Sequence, residues 1–177
     1  MTKRYIGLLR GINVGGKNRL PMARLREIFA ECDANEVATY IQSGNVAFTS
    51  SAKAAVATLK QVSACLESEL GLRVPIVLRS ADEMRRALDA HPFEDRGVPE
   101  KFRSIMFLER KPTAAQRRSL DPDCSAGEEW EVIGSEVHLC FPAGSARSKL
   151  TNVYFDRRLE TISTTRNVRT VQKLLEL

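Results

Sequence analysis

The sequence predicts an α+β fold built as a tandem of two ferredoxin-like (alpha-beta plait) domains, antiparallel sheets with helices packed on them. Three observations support this. The apolar patterning up to residue 80 reads strand, helix, strand, strand, helix, strand. A less regular run of the same order follows, placing the first domain at 1–80 and the second, more divergent one with its C-terminal helix at 81–177. The apolar fraction of 43% in 177 residues is enough for packed cores, while no stretch reaches the ~20 apolar residues of a membrane span.

Arg4 to Leu9 alternates around Ile6 and Leu8 and reads as a strand, with Tyr5, Gly7 and Leu9 expected to face the second domain. Pro21 opens a helix carrying Met22, Leu25, Ile28, Phe29 and Cys32 at helical spacing. Glu36 to Ile41 is rich in Val, Thr, Tyr and Ile and reads as a second strand. Ser43-Gly44-Asn45 is a tight turn, because Gly and Asn tolerate positive φ, and Val46 to Thr49 returns as a third strand. A long amphipathic helix covers about Ala52 to Leu70, with Val56, Leu59, Val62, Leu66 and Leu70 inward and Gly71 as its C-cap. Val74 to Leu78 is the fourth strand.

Ser80 and Glu83 form a capping box for a short helix through Leu88, followed by a loop from His91-Pro92-Phe93 to Val98-Pro99. Ser104 to Leu108 is a strand and Thr113 to Leu120 a helix. Trp130 to Ile133 and Glu136 to Phe141 form a hairpin turned at Gly134-Ser135. Helices follow at Ser148 to Leu159 and Arg166 to Leu177.

Net charge is +5, from 27 cations and 22 carboxylates spread along the chain, which permits an anionic partner without demanding one. Cys32, Cys65, Cys124 and Cys140 are widely spaced and read as reduced packing thiols. Met-Thr-Lys-Arg-Tyr-Ile-Gly leads into a strand without the apolar region of a signal peptide, so a cytoplasmic location is expected. His91 and His138 have no ligand spacing to a cysteine, and neither metal nor cofactor is expected.

The densest set of polar groups lies between the first strand and helix. Gly11-x-x-x-x-Gly16-Lys17 has the outline of a Walker A loop, but Asn18 replaces the magnesium-binding hydroxyl residue and Pro21 starts the helix too late. A more general role survives: glycine-loop amides with Arg10, Lys17 and Arg19 hold an anion. Outward aromatics suited to stacking RNA bases are lacking on the third strand. No G-x-S-x-G elbow surrounds Ser43, and Cys140 has no adjacent cation to activate it. The sequence therefore nominates no catalytic residue. Pro142 to Lys149 and Thr164 to Thr170 also place cations at helix starts, which attract anions.

Leu8-Leu9-Arg10-Gly11-Ile12-Asn13-Val14-Gly15-Gly16-Lys17-Asn18, Pro21-Met22, Thr39-Tyr40-Ile41-Gln42-Ser43-Gly44-Asn45-Val46 and Thr164-Thr165-Arg166-Asn167 resemble the bacterial family catalogued as domain of unknown function 1697. The resemblance runs over nearly the whole chain and implies two tandem plaits, in agreement with the pattern above. It implies no activity, substrate or residue role. The chain departs from the family pattern at His91, where Asn tends to precede Pro-Phe, and at Val168-Arg169, where Trp and Asn are common.

The residues expected to bind are Arg10, Asn13, Gly15, Gly16, Lys17, Ser43, Asn45, Arg166 and Asn167, converging on a phosphate-bearing ligand such as a nucleotide, phosphometabolite or nucleic acid. Two other functions stay open: a phosphoryl- or nucleotide-transferring enzyme, and a protein–protein interaction module. The same polar residues also suit a role in tying loops to backbone and joining the domains.

Overall fold

The computed structural model of the chain describes residues 2–177. The first sheet is assembled from β1 (Thr2–Leu9), β2 (Asn35–Tyr40), β3 (Asn45–Ser51) and β4 (Ile76–Ser80), in the order β2-β3-β1-β4 with every pairing antiparallel. Between them come α1 (Met22–Glu31) and α2 (Ala52–Leu70). After α3 (Ala81–Asp89), the second sheet repeats the plan with β5 (Arg103–Leu108), β6 (Glu129–Ile133), β7 (Glu136–Cys140) and β8 (Ser163–Asn167), in the order β6-β7-β5-β8 and again antiparallel. Its helices are α4 (Ala114–Arg118) and α5 (Asn152–Leu159), and α6 (Val168–Leu175) ends the described elements. Both halves thus have the strand order of a ferredoxin-like plait.

The chain divides into two units. One runs to Met84 and takes in Lys173–Leu177; the other is Arg85–Gln172. Within the first, the Arg4 guanidinium donates to the Leu177 carbonyl oxygen at 2.9 Å, so the last residues belong with β1.

The first unit's core lies between its sheet and its two helices. Tyr5, Leu9, Val46 and Phe48 from the strands meet Leu25, Ile28, Phe29, Leu59 and Val62 from the helices. Phe29 and Phe48 lie 5.4 Å apart, and a side chain at Gly7 would come within 3.3 Å of Phe29. This corrects the sequence expectation: the Tyr5-Gly7-Leu9 face lies under the unit's own helices. Ile6, Leu8 and Ala47 on the other face are also fully buried.

On α2 the buried stripe is Ala55, Thr58, Leu59, Val62 and Leu66, whereas Val56 and Leu70, expected inward, are exposed. Val56 lies about 100° from Ala55 and so falls off the stripe, whereas Leu70, four residues after Leu66, keeps the spacing but is the last residue of the helix before Gly71. Thr58 uses the inward position to donate from Oγ1 to Cys32 O, 3.0 Å away, at the end of α1. Gly71 closes α2 at φ 64°, with Gly71 N donating to Glu67 O and Leu72 N to Leu66 O.

The second core gathers Met106, Leu108, Val137, Leu139, Phe141, Phe155 and Leu159, with Trp130 packed edge-on to Phe155 at 5.8 Å. Two elements differ from the sequence reading here. Helix α5 begins at Asn152 because Thr151 caps it, accepting from Tyr154 N at 3.2 Å; Ser148 lies outside the helix. Arg166 and Asn167, expected in the terminal helix, are the last residues of β8, which pairs with β5. Helix α6 starts after them, where Asn167 Oδ1 accepts from Thr170 N at 2.8 Å.

Candidate functional site

The glycine loop leaves the first sheet under tight constraint. Leu9 N donates to Gly44 O at 2.8 Å and Arg10 N to Pro75 O at 3.0 Å, so the end of β1 is held from both sides. Leu8 pairs with Asn45, which brings the loop and the Ser43-Gly44-Asn45 turn to one edge of the sheet. Gly44 has φ 75°, and a Cβ there would lie 2.6 Å from Leu9 Cβ, so only glycine permits this approach.

Ile12 and Leu20 are buried and anchor the loop's two ends. Between them the chain folds back as a small hairpin: Asn13 N donates to Asn18 O at 3.1 Å and Lys17 N to Val14 O at 3.0 Å. Gly15 and Gly16 form its tip with φ values of 56° and 77°, the consecutive positive angles of a type I′ turn. The Asn13 side chain ties the base. Its Oδ1 accepts from Leu20 N at 2.8 Å, and its Nδ2 donates to Leu20 O and Gln42 O at 2.9 Å each. Asn18 Nδ2 donates to Gly11 O at 2.9 Å.

Next to the hairpin lies an open groove of about 440 Å³, lined by Asn13, Gly16, Arg19, Leu20, Pro21 and Gln42. Leu20 and Pro21 supply apolar surface and Arg19 the positive charge. The tip glycines and Lys17 are exposed. Val14, 64% exposed, and Ile41, 52% exposed, stand on segments joined by the Asn13–Gln42 hydrogen bond. Ile41 adopts φ 48°, a strained backbone angle for a β-branched residue.

Seven of the nine residues picked from the sequence, Arg10 through Asn45, therefore share one edge of the first unit, but their roles differ. Asn13 and Gly16 line the groove. Asn45 is fully buried, and its Nδ2 donates to Tyr40 O at 3.1 Å and Ser43 Oγ at 2.9 Å, so Ser43 and Asn45 build the turn. Arg10 is half-buried and is absent from the groove's lining. Arg166 and Asn167 belong to the second unit. Arg166 Nη1 donates to Thr164 Oγ1 at 2.8 Å and Thr165 O at 2.9 Å, and burial lowers the guanidinium pKa to about 10. Arg19, read from the sequence as a cation of the glycine loop, lines the groove, and so does Gln42, which sequence reasoning missed and whose signal was its position beside the turn.

A second, partly enclosed cavity of about 180 Å³ lies within the second unit. Its polar lining is Asp89, His91, Glu94, Glu100, Arg103 and Gln172. His91 and the fully buried His138 pack edge to face with ring centroids 5.1 Å apart. His91 Nδ1 accepts from Phe93 N at 3.4 Å, while His91 Nε2 and both His138 nitrogens are buried without hydrogen-bond partners among the described residues. Burial and then the neighbouring His91 push the His138 pKa down to about 4; burial, aided by Arg103, also lowers that of His91. No local pattern flags this cluster, because β5–β7 pairing and the loop after α3 assemble it. Among the described residues no group of three or more His, Cys, Asp or Glu side chains is arranged to hold a metal ion.

No curated protein matches the chain. A solved structure described as a conserved bacterial protein from Streptococcus pneumoniae is similar over 99% of this chain and 98% of its own, with a TM-score of 0.74 and 24% identity, a likeness of fold. The family model described as protein of unknown function, DUF1697, matches residues 1–138, which include the glycine loop, the Ser43-Gly44-Asn45 turn and β1 to β7 nearly entire. The chain belongs to that family.

Proposed function

We propose that the protein is a cytoplasmic binding protein for a phosphate-bearing ligand, such as a nucleotide, phosphometabolite or short nucleic acid, held at the Gly15-Gly16 hairpin of the first unit. The groove beside that hairpin carries the reading: Arg19 and exposed backbone at Gly16 border an apolar floor of Leu20 and Pro21. Charged donors and backbone amides pair with phosphate oxygens, and the floor takes an apolar part of the ligand. Lys17, exposed at the hairpin, adds a second mobile cation. Asn13, Ser43 and Asn45 hold the scaffold and do not act as ligand donors in this reading. The lining includes no carboxylate, histidine, serine or cysteine, which favours binding over catalysis. Free thiols at all four cysteines fit a reducing compartment, and among the described residues no helix is long and apolar enough to cross a membrane.

A thermal-shift screen of nucleotides, phosphorylated sugars and short oligonucleotides tests this directly. A true ligand at about a hundred times its dissociation constant stabilises the fold by ~2.7 kcal/mol. The double variant Lys17→Ala, Arg19→Ala should keep the unliganded melting temperature, since both residues are exposed, and weaken binding by about tenfold or more. An unchanged response in the variant contradicts the site. A second reading, a docking surface for another protein, is favoured by the exposure of Val14 and Ile41 next to the groove; silence across the whole ligand panel supports it.

A further inference from the structure

We propose that the cavity of the second unit binds a small zwitterion of the amino-acid class, independently of the glycine-loop site. Arg103 is only 8% exposed, and its guanidinium makes one described hydrogen bond, from Nε to Val98 O at 3.1 Å. Among the described residues no carboxylate lies within ion-pair distance of it. A guanidinium this buried, with no carboxylate in ion-pair contact, is available to pair with an anionic group of a ligand, and its planar fork suits a carboxylate. The cavity that Arg103 lines has the opposite charge at its mouth, where Asp89, Glu94 and Glu100 are exposed. Glu100 is positioned by Gln172, whose Nε2 donates to Glu100 Oε1 at 2.9 Å.

The charge is thus arranged as one buried cation against three exposed carboxylates. A phosphate or a dicarboxylate satisfies Arg103 but meets like charge at the mouth. A diamine satisfies the mouth but brings a cation toward the buried guanidinium. A molecule carrying both a carboxylate and an ammonium group meets both demands. The volume of about 180 Å³ suits it, since at roughly 30 Å³ per water-sized group it admits about six such groups. That is the backbone of an amino acid with a short side chain. His91 walls the cavity in its neutral form and adds no second cation to compete for the carboxylate. Leu88 and Val168 give the side chain apolar contact.

The test is isothermal titration of the full chain at pH 7.5 with the individual protein amino acids, beside acetate, methylammonium and inorganic phosphate. At least one small amino acid should bind with 1:1 stoichiometry, and acetate, methylammonium and phosphate should each bind at least about tenfold more weakly. Arg103→Met should abolish that binding. Because removing a buried residue risks the fold, the exposed pair Glu94→Gln, Glu100→Gln supplies the second variant. It should remain folded by circular dichroism and lose about tenfold or more in affinity. No binding by any amino acid overturns the proposal. Acetate or phosphate binding as tightly as the best amino acid overturns it in favour of a simple anion site, and methylammonium doing so favours a cation site. Unchanged affinity in the Glu94, Glu100 variant also overturns it.

Discussion

Asn13 holds a φ of 53° and makes three side-chain hydrogen bonds, two to Leu20 and one to Gln42. Alanine loses all three and still has to adopt the left-handed backbone, so Asn13→Ala should destabilise the fold by about 2–3 kcal/mol at ~1 kcal/mol per bond. Urea unfolding measures it, and a loss under ~0.5 kcal/mol would show that the loop does not depend on this residue. Gly44 is less replaceable. Gly44→Ala adds a methyl 2.6 Å from Leu9 Cβ at a positive φ, and should cost more than ~2 kcal/mol in the same assay. Both positions were legible as polar and glycine-rich loop chemistry. The sequence did not separate donors used internally from donors turned to solvent. Asn13, Ser43 and Asn45 look like ligand-binding groups by type, and only their partners show them as scaffold.

At the scale of elements, legibility followed local pattern. The Ser80–Glu83 capping box was readable because its partners sit within one turn; Ser80 N donates to Glu83 Oε2 at 2.7 Å and Glu83 N to Ser80 Oγ at 3.2 Å. Strand β8 was not readable. Ser-Thr-Thr-Arg-Asn carries no apolar alternation, and its extended form comes from pairing with β5. The His91–His138 contact is likewise tertiary, between β7 and the loop after α3, and it makes a pH prediction. A histidine in the unfolded chain titrates near ~6.5, but His138 in the fold does so at about 4. Between those values the unfolded chain binds the extra proton. Stability from this group is therefore complete above about pH 6.5, falls by up to ~1.4 kcal/mol per pH unit as pH drops toward the folded value, and levels off below it. Arg103 acts in the same direction on His91, and Asp89, Glu94 and Glu100 line the cavity beside it. Urea midpoints from pH 4 to 8 should slope more steeply for the natural protein than for His138→Leu. Equal slopes would show that His138 titrates normally in the fold.

Across the whole molecule, two sheets with the same strand order carry two different kinds of candidate site. The sequence showed the first plait clearly, because β1 to β4 and their helices keep apolar periodicity and a glycine C-cap. The second was fainter because α4 is only five residues long and two of its strands, β6 and β8, are rich in polar or charged side chains. The core of that unit nonetheless depends on a few large side chains; Phe155→Ala, which removes the ring packed against Trp130 and Tyr154, should cost about 3–5 kcal/mol by calorimetry or urea unfolding. The central functional claim, that the Gly15-Gly16 hairpin receives a phosphate group, is tested most directly by nitrogen-15 NMR titration with adenosine mono- and triphosphate, a sugar phosphate, inorganic pyrophosphate and a short single-stranded oligonucleotide. With at least one of these, the amides of Gly15, Gly16 and Lys17 should show the largest saturable shifts, with Arg19 and Gln42 next. Saturable shifts confined to residues away from the hairpin, or none with any of these probes, would contradict the claim.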